Sequence, residues 1–116
     1  MKPLIWIIDD EWESYAIETK VIQEAFPNAE IVVSGRSYRE DAEKYAESAD
    51  AILVQVSMQL DAPLIAQLEK CKIISVYGVG YDNVDVDAAT AKGIAVANIP
   101  GYCTEDVSDY VIAAIY

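Results

Sequence analysis

An α/β fold, with an open parallel sheet covered by helices on both faces, is the class this sequence predicts, and two observations carry it. Five short β-type runs, at 4–8, 30–34, 51–54, 72–76 and 94–97, are mostly continuous in apolar residues rather than alternating. That is how strands buried on both faces read. Between them lie stretches with helical periodicity and recognisable starts, so strand and helix alternate along the chain.

The first run, LIWII, stops on three consecutive acids, Asp9, Asp10 and Glu11. A helix is expected over 13–26, with Ile17, Val21, Ile22 and Ala25 along one stripe and Pro27-Asn28 ending it. After the second run, Ser37-Tyr-Arg-Glu40 reads as a capping box, in which the serine oxygen accepts from the Glu40 backbone and the glutamate reaches back to the cap. Asp61 is expected to cap a third helix whose Leu64, Ile65 and Leu68 face inward. Asp87 is expected to open a short fourth helix, with Gly93 supplying the left-handed stop after Lys92. Thr104 reads as the cap of a fifth, where Glu105 and Asp106 complement the positive end of the helix dipole.

Short connections and right-handed crossovers make this a flavodoxin-like, five-stranded open sheet. Ligands of such sheets bind beyond the carboxyl ends of the strands, so the loops after the strands are where function is sought. The last helix is still apolar at Val107, Val111, Ile112 and Ile115 when the sequence stops at Tyr116, which suggests a piece of a longer protein.

Composition narrows the function classes. The 116 residues suffice for one domain with a real core, and 53% are apolar against 24% charged. A net charge of −12 repels nucleic acid and anionic membrane at long range. No run is long enough to span a bilayer and no secretory leader is visible, so a cytoplasmic location is the expectation. The sequence holds no histidine, the usual general base and metal ligand. Cys71 and Cys103 have no zinc-like spacing and read as buried or idle thiols, so no metal site is expected.

Acids after a first strand raise the possibility of a phosphoryl switch of the receiver type, where carboxylates hold Mg²⁺ beside a phosphorylatable aspartate. The third strand, however, delivers Gln55 where that aspartate would stand, and a neutral amide forms no acyl phosphate. Ser75 lies inside the fourth strand and no lysine follows the fifth. The acids are therefore read as a solvated turn leading into the first helix, with Trp12 packed at the sheet edge.

The segment that carries chemistry is YGVGYDNVD, 77–85, after the fourth strand. Gly78 and Gly80 flank Val79, and glycines at a strand end let the backbone approach a ligand closely. Successive N–H groups in such a turn can converge on a carboxylate or phosphate without any cationic side chain. The turn is not the dinucleotide fingerprint, because the third glycine is missing and no long helix begins there. Tyr77, Tyr81 and Tyr102 cluster near it and are expected to pack their rings and hydrogen-bond outward. Asp82 is expected to tie the turn through its own backbone.

The run ISVYGVGYDNVDVDAATAKGIAVANIPGYCTEDVSDYVIAAI, 74–115, resembles the amino-terminal region of the D-isomer-specific 2-hydroxyacid dehydrogenases, the family of D-3-phosphoglycerate dehydrogenase. The resemblance implies a substrate-binding domain over 1–103 and, from 104 to 116, the start of a helix crossing to a nucleotide-binding domain. It implies that the amides of Val79 and Gly80, with Gly78 shaping the turn, hold the carboxylate of a 2-hydroxy or 2-keto acid. Gln55, Val56 and Ser57 would face the same substrate, and Val107 would lie near the nicotinamide of NAD or NADP in the full-length parent. The family's catalytic arginine, glutamate and histidine, and its cofactor turn, belong downstream of Tyr116. No catalytic residue is therefore assigned to this chain, and alone it is expected to bind no cofactor and to be inactive.

The sequence departs from the family at Val76, where members commonly carry an arginine, and at Tyr110, where they often carry histidine. A different class of function also fits the letters: a stand-alone binding module that has dropped the chemistry and pairs as a homodimer through Val107, Val111 and Ile115.

Overall fold

The computed structural model describes residues 2–78 and 80–98. Val79 and the expected fifth helix, with Tyr102, Cys103, Val107 and Tyr110, lie outside the described residues. The elements run β1 (Leu4–Ile8), α1 (Ala16–Ala25), β2 (Glu30–Ser34), α2 (Tyr38–Tyr45), β3 (Ala51–Gln55), α3 (Ala62–Ile65), β4 (Ile73–Tyr77), α4 (Val86–Ala91) and β5 (Ala95–Ala97). The strands form one sheet in the order β2-β1-β3-β4-β5. All four pairings are parallel, as the unbroken apolar runs require.

Alternate side chains feed two separate cores. Trp6, Ile8, Ile52, Val54, Ile74 and Val76 face the layer built by Tyr38 and Ala42 of α2, Leu64 and Ile65 of α3, and Ala89 of α4. Ile5, Ile7, Leu53, Ile73 and Tyr77 face Ile22 of α1 together with Tyr15 and Phe26. The first crossover therefore lies on one face and the next three on the other, because the chain leaves β1 toward β2 and then returns past it to β3.

Helix starts differ from expectation in three places. α1 begins at Ala16 rather than 13, and its buried positions are Glu18 and Ile22, while Ile17 is exposed. The buried face is thus rotated by one residue toward a carboxylate. No side-chain cap forms at Ser37, whose backbone (φ −84°, ψ 15°) already turns toward the helix instead of staying extended, so the capping box is not made. α4 is capped by Asp85, not Asp87: the Asp85 carboxylate accepts from the Ala88 N–H at 3.0 Å. Asp61 does cap α3, accepting from the Leu64 N–H at 3.3 Å. Gly93 closes α4 at φ +75°, a conformation in which a side chain is strained.

Candidate functional site

The loops after β1, β3 and β4 meet at the carboxyl edge of the sheet, and Asp9 organises the first of them. Its carboxylate is buried, and one oxygen, Oδ2, accepts three bonds: from the Tyr15 hydroxyl at 2.6 Å, the Trp12 N–H at 3.0 Å and the Glu11 N–H at 3.2 Å. The other, Oδ1, accepts from the Gln55 amide at 3.0 Å. Burial alone would raise this carboxyl group's pKa, but the donors from Tyr15, Trp12, Gln55 and Glu11 together hold it below its ordinary value.

The solvated-turn reading is therefore corrected for Asp9, which coils the backbone around itself as aspartates do in tight turns. Nor do the three acids converge. Asp10 accepts from the Arg36 guanidinium at 2.5 Å and Glu11 from the Ser57 hydroxyl at 3.2 Å. Trp12 is 45% exposed, with its ring centroid 6.3 Å from that of Tyr77.

Gln55 ends β3 buried, with its amide committed at both ends: Nε2 to Asp9, and Oε1 accepting from the Val56 N–H at 3.1 Å. The next loop returns to the β4 side through a single parallel bridge, Leu60 to Val84. Asn83 staples it, its amide donating to the carbonyls of Gln55 at 3.1 Å and Met58 at 2.8 Å. Asn83, rather than Asp82, thus ties this part of the turn, and the motif Tyr-Asp-Asn-Val-Asp reads physically as staple, core residue and helix cap.

Tyr77, the last residue of β4, is buried and turns inward, its hydroxyl donating to the buried Glu18 carboxylate at 2.6 Å. This corrects the expectation of an outward-bonding ring. Burial, the bond to Glu18 and the nearby negative charge all push the Tyr77 phenol well above its ordinary range. Tyr81, by contrast, is 48% exposed.

Gly78 follows at φ +157°, its N–H turned back to the Val76 carbonyl at 2.9 Å. A Cβ on Gly78 would lie 3.0 Å from Cγ1 of Val56, whereas a Cβ on Gly80 meets nothing within 4 Å. Gly78→Ala should therefore cost about 1–3 kcal/mol through strain and overlap. Gly80→Ala should stay within about 0.5 kcal/mol. Urea melts of the pair check this, and equal midpoints would refute the asymmetry.

Among the candidate site residues, then, Gly78 packs against Val56 just beyond the paired strand ends Gln55 and Tyr77, Ser57 turns to Glu11, and Gly80 has nothing within 4 Å of its Cβ position. No described group accepts the Gly80 N–H. The described residues do not fit a dinucleotide: the turn lacks a third glycine, and α4 has six residues and begins only at Val86.

A parallel sheet in the order β2-β1-β3-β4-β5, with helices on both faces and its site candidates in the loops at the carboxyl edge, defines an α/β domain of the doubly wound class. The chain belongs to the D-isomer-specific 2-hydroxyacid dehydrogenases: the model of that family's catalytic domain matches residues 8–113. It is 43% identical over 67 residues to a D-3-phosphoglycerate dehydrogenase of Mycobacterium leprae, a stretch covering 58% of this chain and 13% of that protein. It is 30% identical over 118 residues to a glyoxylate reductase of Pyrococcus horikoshii, covering 99% of this chain and 34% of the relative. The crystal structure of NAD+-bound 3-phosphoglycerate dehydrogenase from Entamoeba histolytica superposes with a TM-score of 0.65 at 29% identity, over 83% of this chain and 32% of that one. The chain therefore spans about a third or less of the length of these relatives. Among the described residues no helix is long and apolar enough to cross a membrane.

The committed hydrogen bonds set a pH window for stability. Asp9 titrates below 3.8, its ordinary value, when folded, so its contribution is present above that pH and is lost as pH falls through the folded value. On the alkaline side, burial pushes Cys71 up from 9.0 to about 12, with the charge of Asp50 adding to it. Tyr15 and Tyr77 are raised above 10.0, by burial first and then by their bonds to Asp9 and Glu18. A group with a raised folded pKa favours folding below its unfolded value and loses that contribution as pH rises above it. Thermal melts should thus form a plateau from about pH 5 to 9, falling on both sides. A melting temperature still rising at pH 11 would contradict it.

Proposed function

We propose that this chain is the substrate-binding domain of an NAD(P)-dependent D-2-hydroxyacid dehydrogenase. In this reading the Gly78-Val79-Gly80 turn holds the carboxylate of a 2-hydroxy or 2-keto acid while hydride passes between its C2 and a nicotinamide carried by a separate domain. The observation that carries it is the Gly80 N–H, which no described group accepts, in the loop just beyond the carboxyl end of β4, where a Cβ on Gly80 would meet nothing within 4 Å. Backbone N–H groups of that kind are a ready anion cradle.

The described residues around the turn bind and orient; they do not transfer protons. Asp9, Glu18 and Tyr77 are each engaged in the bonds given above, and Gln55 is a fixed floor. Val56 stands where a side chain on residue 78 would have to go, which leaves the turn to glycine, while Ser57 borders the mouth. The reaction's acid–base group and the cofactor cradle belong in this reading to the remainder of a longer protein, and the chain alone binds acid without turning it over. The expected Val107 contact with nicotinamide belongs to the same proposal.

Two or three charge-assisted amide bonds, at about 1.5–3 kcal/mol each before the entropy of capture, support dissociation constants on the order of millimolar. Titration of the ¹⁵N-labelled chain with pyruvate or glycolate should shift the amides of Gly80 and its neighbours, with smaller shifts at 55–57. Saturating ligand that leaves the Gly80 signal in place would overturn the reading, as would turnover of pyruvate and NADH by the chain alone for the claim of inactivity.

A further inference from the structure

We infer that this domain's share of the site takes a monocarboxylic 2-hydroxy or 2-keto acid with a short, uncharged, apolar tail, and disfavours substrates whose tail carries a phosphate or a second carboxylate. The inference rests on the reading that the glycine turn holds the substrate's carboxylate, and it concerns what surrounds the rest of the molecule.

The distribution of cations carries it. The chain has eight lysines and arginines, none within the loops 9–15, 56–61 or 78–85 that form the mouth. Lys2, Lys70 and Lys72 stand just before β1 and β4, at the opposite edge of the sheet. Lys20 and Lys44 lie within α1 and α2, and the Lys92 ammonium donates to the Ala66 carbonyl at 3.0 Å. Arg39 pairs with Asp61 at 3.1 Å. Arg36 comes nearest: it follows β2, but its guanidinium reaches the first of these loops, where the Asp10 carboxylate neutralises it at the end of β1, two strand spacings or about 10 Å from β4. No residue from 99 to 116 is cationic either. The backbone cradle can satisfy one acid group, and nothing of opposite charge in this chain waits for a second.

What these loops do offer is exposed apolar surface and unpaired acids. Each of the three loops exposes one large hydrophobic side chain: Trp12 at 45% beside Tyr77, Val56 at 46% beside Gly78, and Tyr81 at 48%, turned to Val86 and Val96. Exposed surface of that kind next to a polar anchor suits a carbon tail. Glu11 and Asp82 lie in the same loops with no cationic partner among the described residues, Glu11 held by the Ser57 hydroxyl next to Val56. A second negative charge on the ligand would meet like charge there.

The test compares three ligands with the ¹⁵N-labelled chain at low salt: 2-hydroxybutyrate, malate and 3-phosphoglycerate, each followed at the Gly80 amide. The expected result is binding of 2-hydroxybutyrate about tenfold tighter than the other two, with the gap closing as salt is raised. The double variant Glu11→Gln, Asp82→Asn should narrow the gap to about threefold. Glu43→Gln, Glu47→Gln removes the same net charge from the distant α2 side and should leave it unchanged. Malate or 3-phosphoglycerate binding as tightly as 2-hydroxybutyrate overturns this inference and leaves the carboxylate cradle standing. A gap that responds equally to both double variants overturns the local origin of the selectivity. Silence of the Gly80 amide to all three overturns the cradle, and the inference with it.

Discussion

Replacing Asp9 by alanine is expected to cost about 2–4 kcal/mol, a large part of a domain stability of about 5–15 kcal/mol. The carboxylate has four donors, and each loses its partner at once: the Tyr15 hydroxyl, the Gln55 amide and the N–H groups of Glu11 and Trp12. The two backbone donors sit in the exposed part of the loop and recover water, which keeps the cost below the sum of four bonds. The Gln55 amide, within a buried side chain, recovers least.

Asp9→Asn should fall between wild type and alanine. One asparagine oxygen can serve the three donors at the Oδ2 position, but its NH2 then faces the NH2 of Gln55. Flipping the glutamine only moves the conflict to the Val56 N–H, which now donates to its oxygen. Urea midpoints of the three proteins at pH 7 decide the matter. An alanine variant within about 0.5 kcal/mol of wild type would show that the knot is ornamental.

Trp6→Ala should be costlier still, about 3–5 kcal/mol. The side chain is fully buried in the sheet's larger core, its ring centroid 5.9 Å from that of Tyr45. Its indole N–H donates to the Ser34 hydroxyl at 2.9 Å, which in turn donates to the Asp41 carboxylate at 2.7 Å. The substitution opens a cavity between β1 and α2 and removes the donor that fixes the serine. Trp6→Phe separates the two effects, since it fills most of the volume and deletes only the hydrogen bond, for a loss of about 1–2 kcal/mol from that bond. Comparable destabilisation by both variants in thermal melts would mean that the indole N–H, not the packing, dominates.

Much of this fold was legible because its strands are buried on both sides. The bounds of β1 and β2 coincide with the apolar runs at 4–8 and 30–34, β3 runs one residue further to Gln55, β4 is shifted by one to Ile73–Tyr77, and β5 begins one residue later at Ala95. Asp61 and Gly93 announced helix ends through purely local chemistry, which sequence displays. The family, too, was readable from the glycine turn onward.

The misreadings share a different cause. Asp9 looks solvated until Gln55, forty-six positions later, is brought beside it. Glu18 interrupts the apolar stripe of α1 and is buried because the Tyr77 hydroxyl, fifty-nine positions away, meets it there. Local periodicity favours Ile17 for that face and is overruled by a partner it cannot see. Asp85 and Asp87 are equally good caps on paper, and the choice falls to Asp85 because its N–H is drawn to the Leu60 carbonyl at 2.9 Å across the bridge between loops. Of the loop after β4, the glycines were visible, but the Asn83 staple that ties it to Gln55 and Met58 was present only as a letter in a familiar string.

The strand order gives the bond between Asp9 and Gln55 one more consequence. The chain departs in opposite directions from β1 and β3, and sheets of this order usually take their ligand in the seam that results. Here a carboxylate and an amide bridge that seam at 3.0 Å, and the proposed acid site lies one strand further along. A protein engineer wanting a second ligand on this scaffold would have to replace both side chains together to free that position.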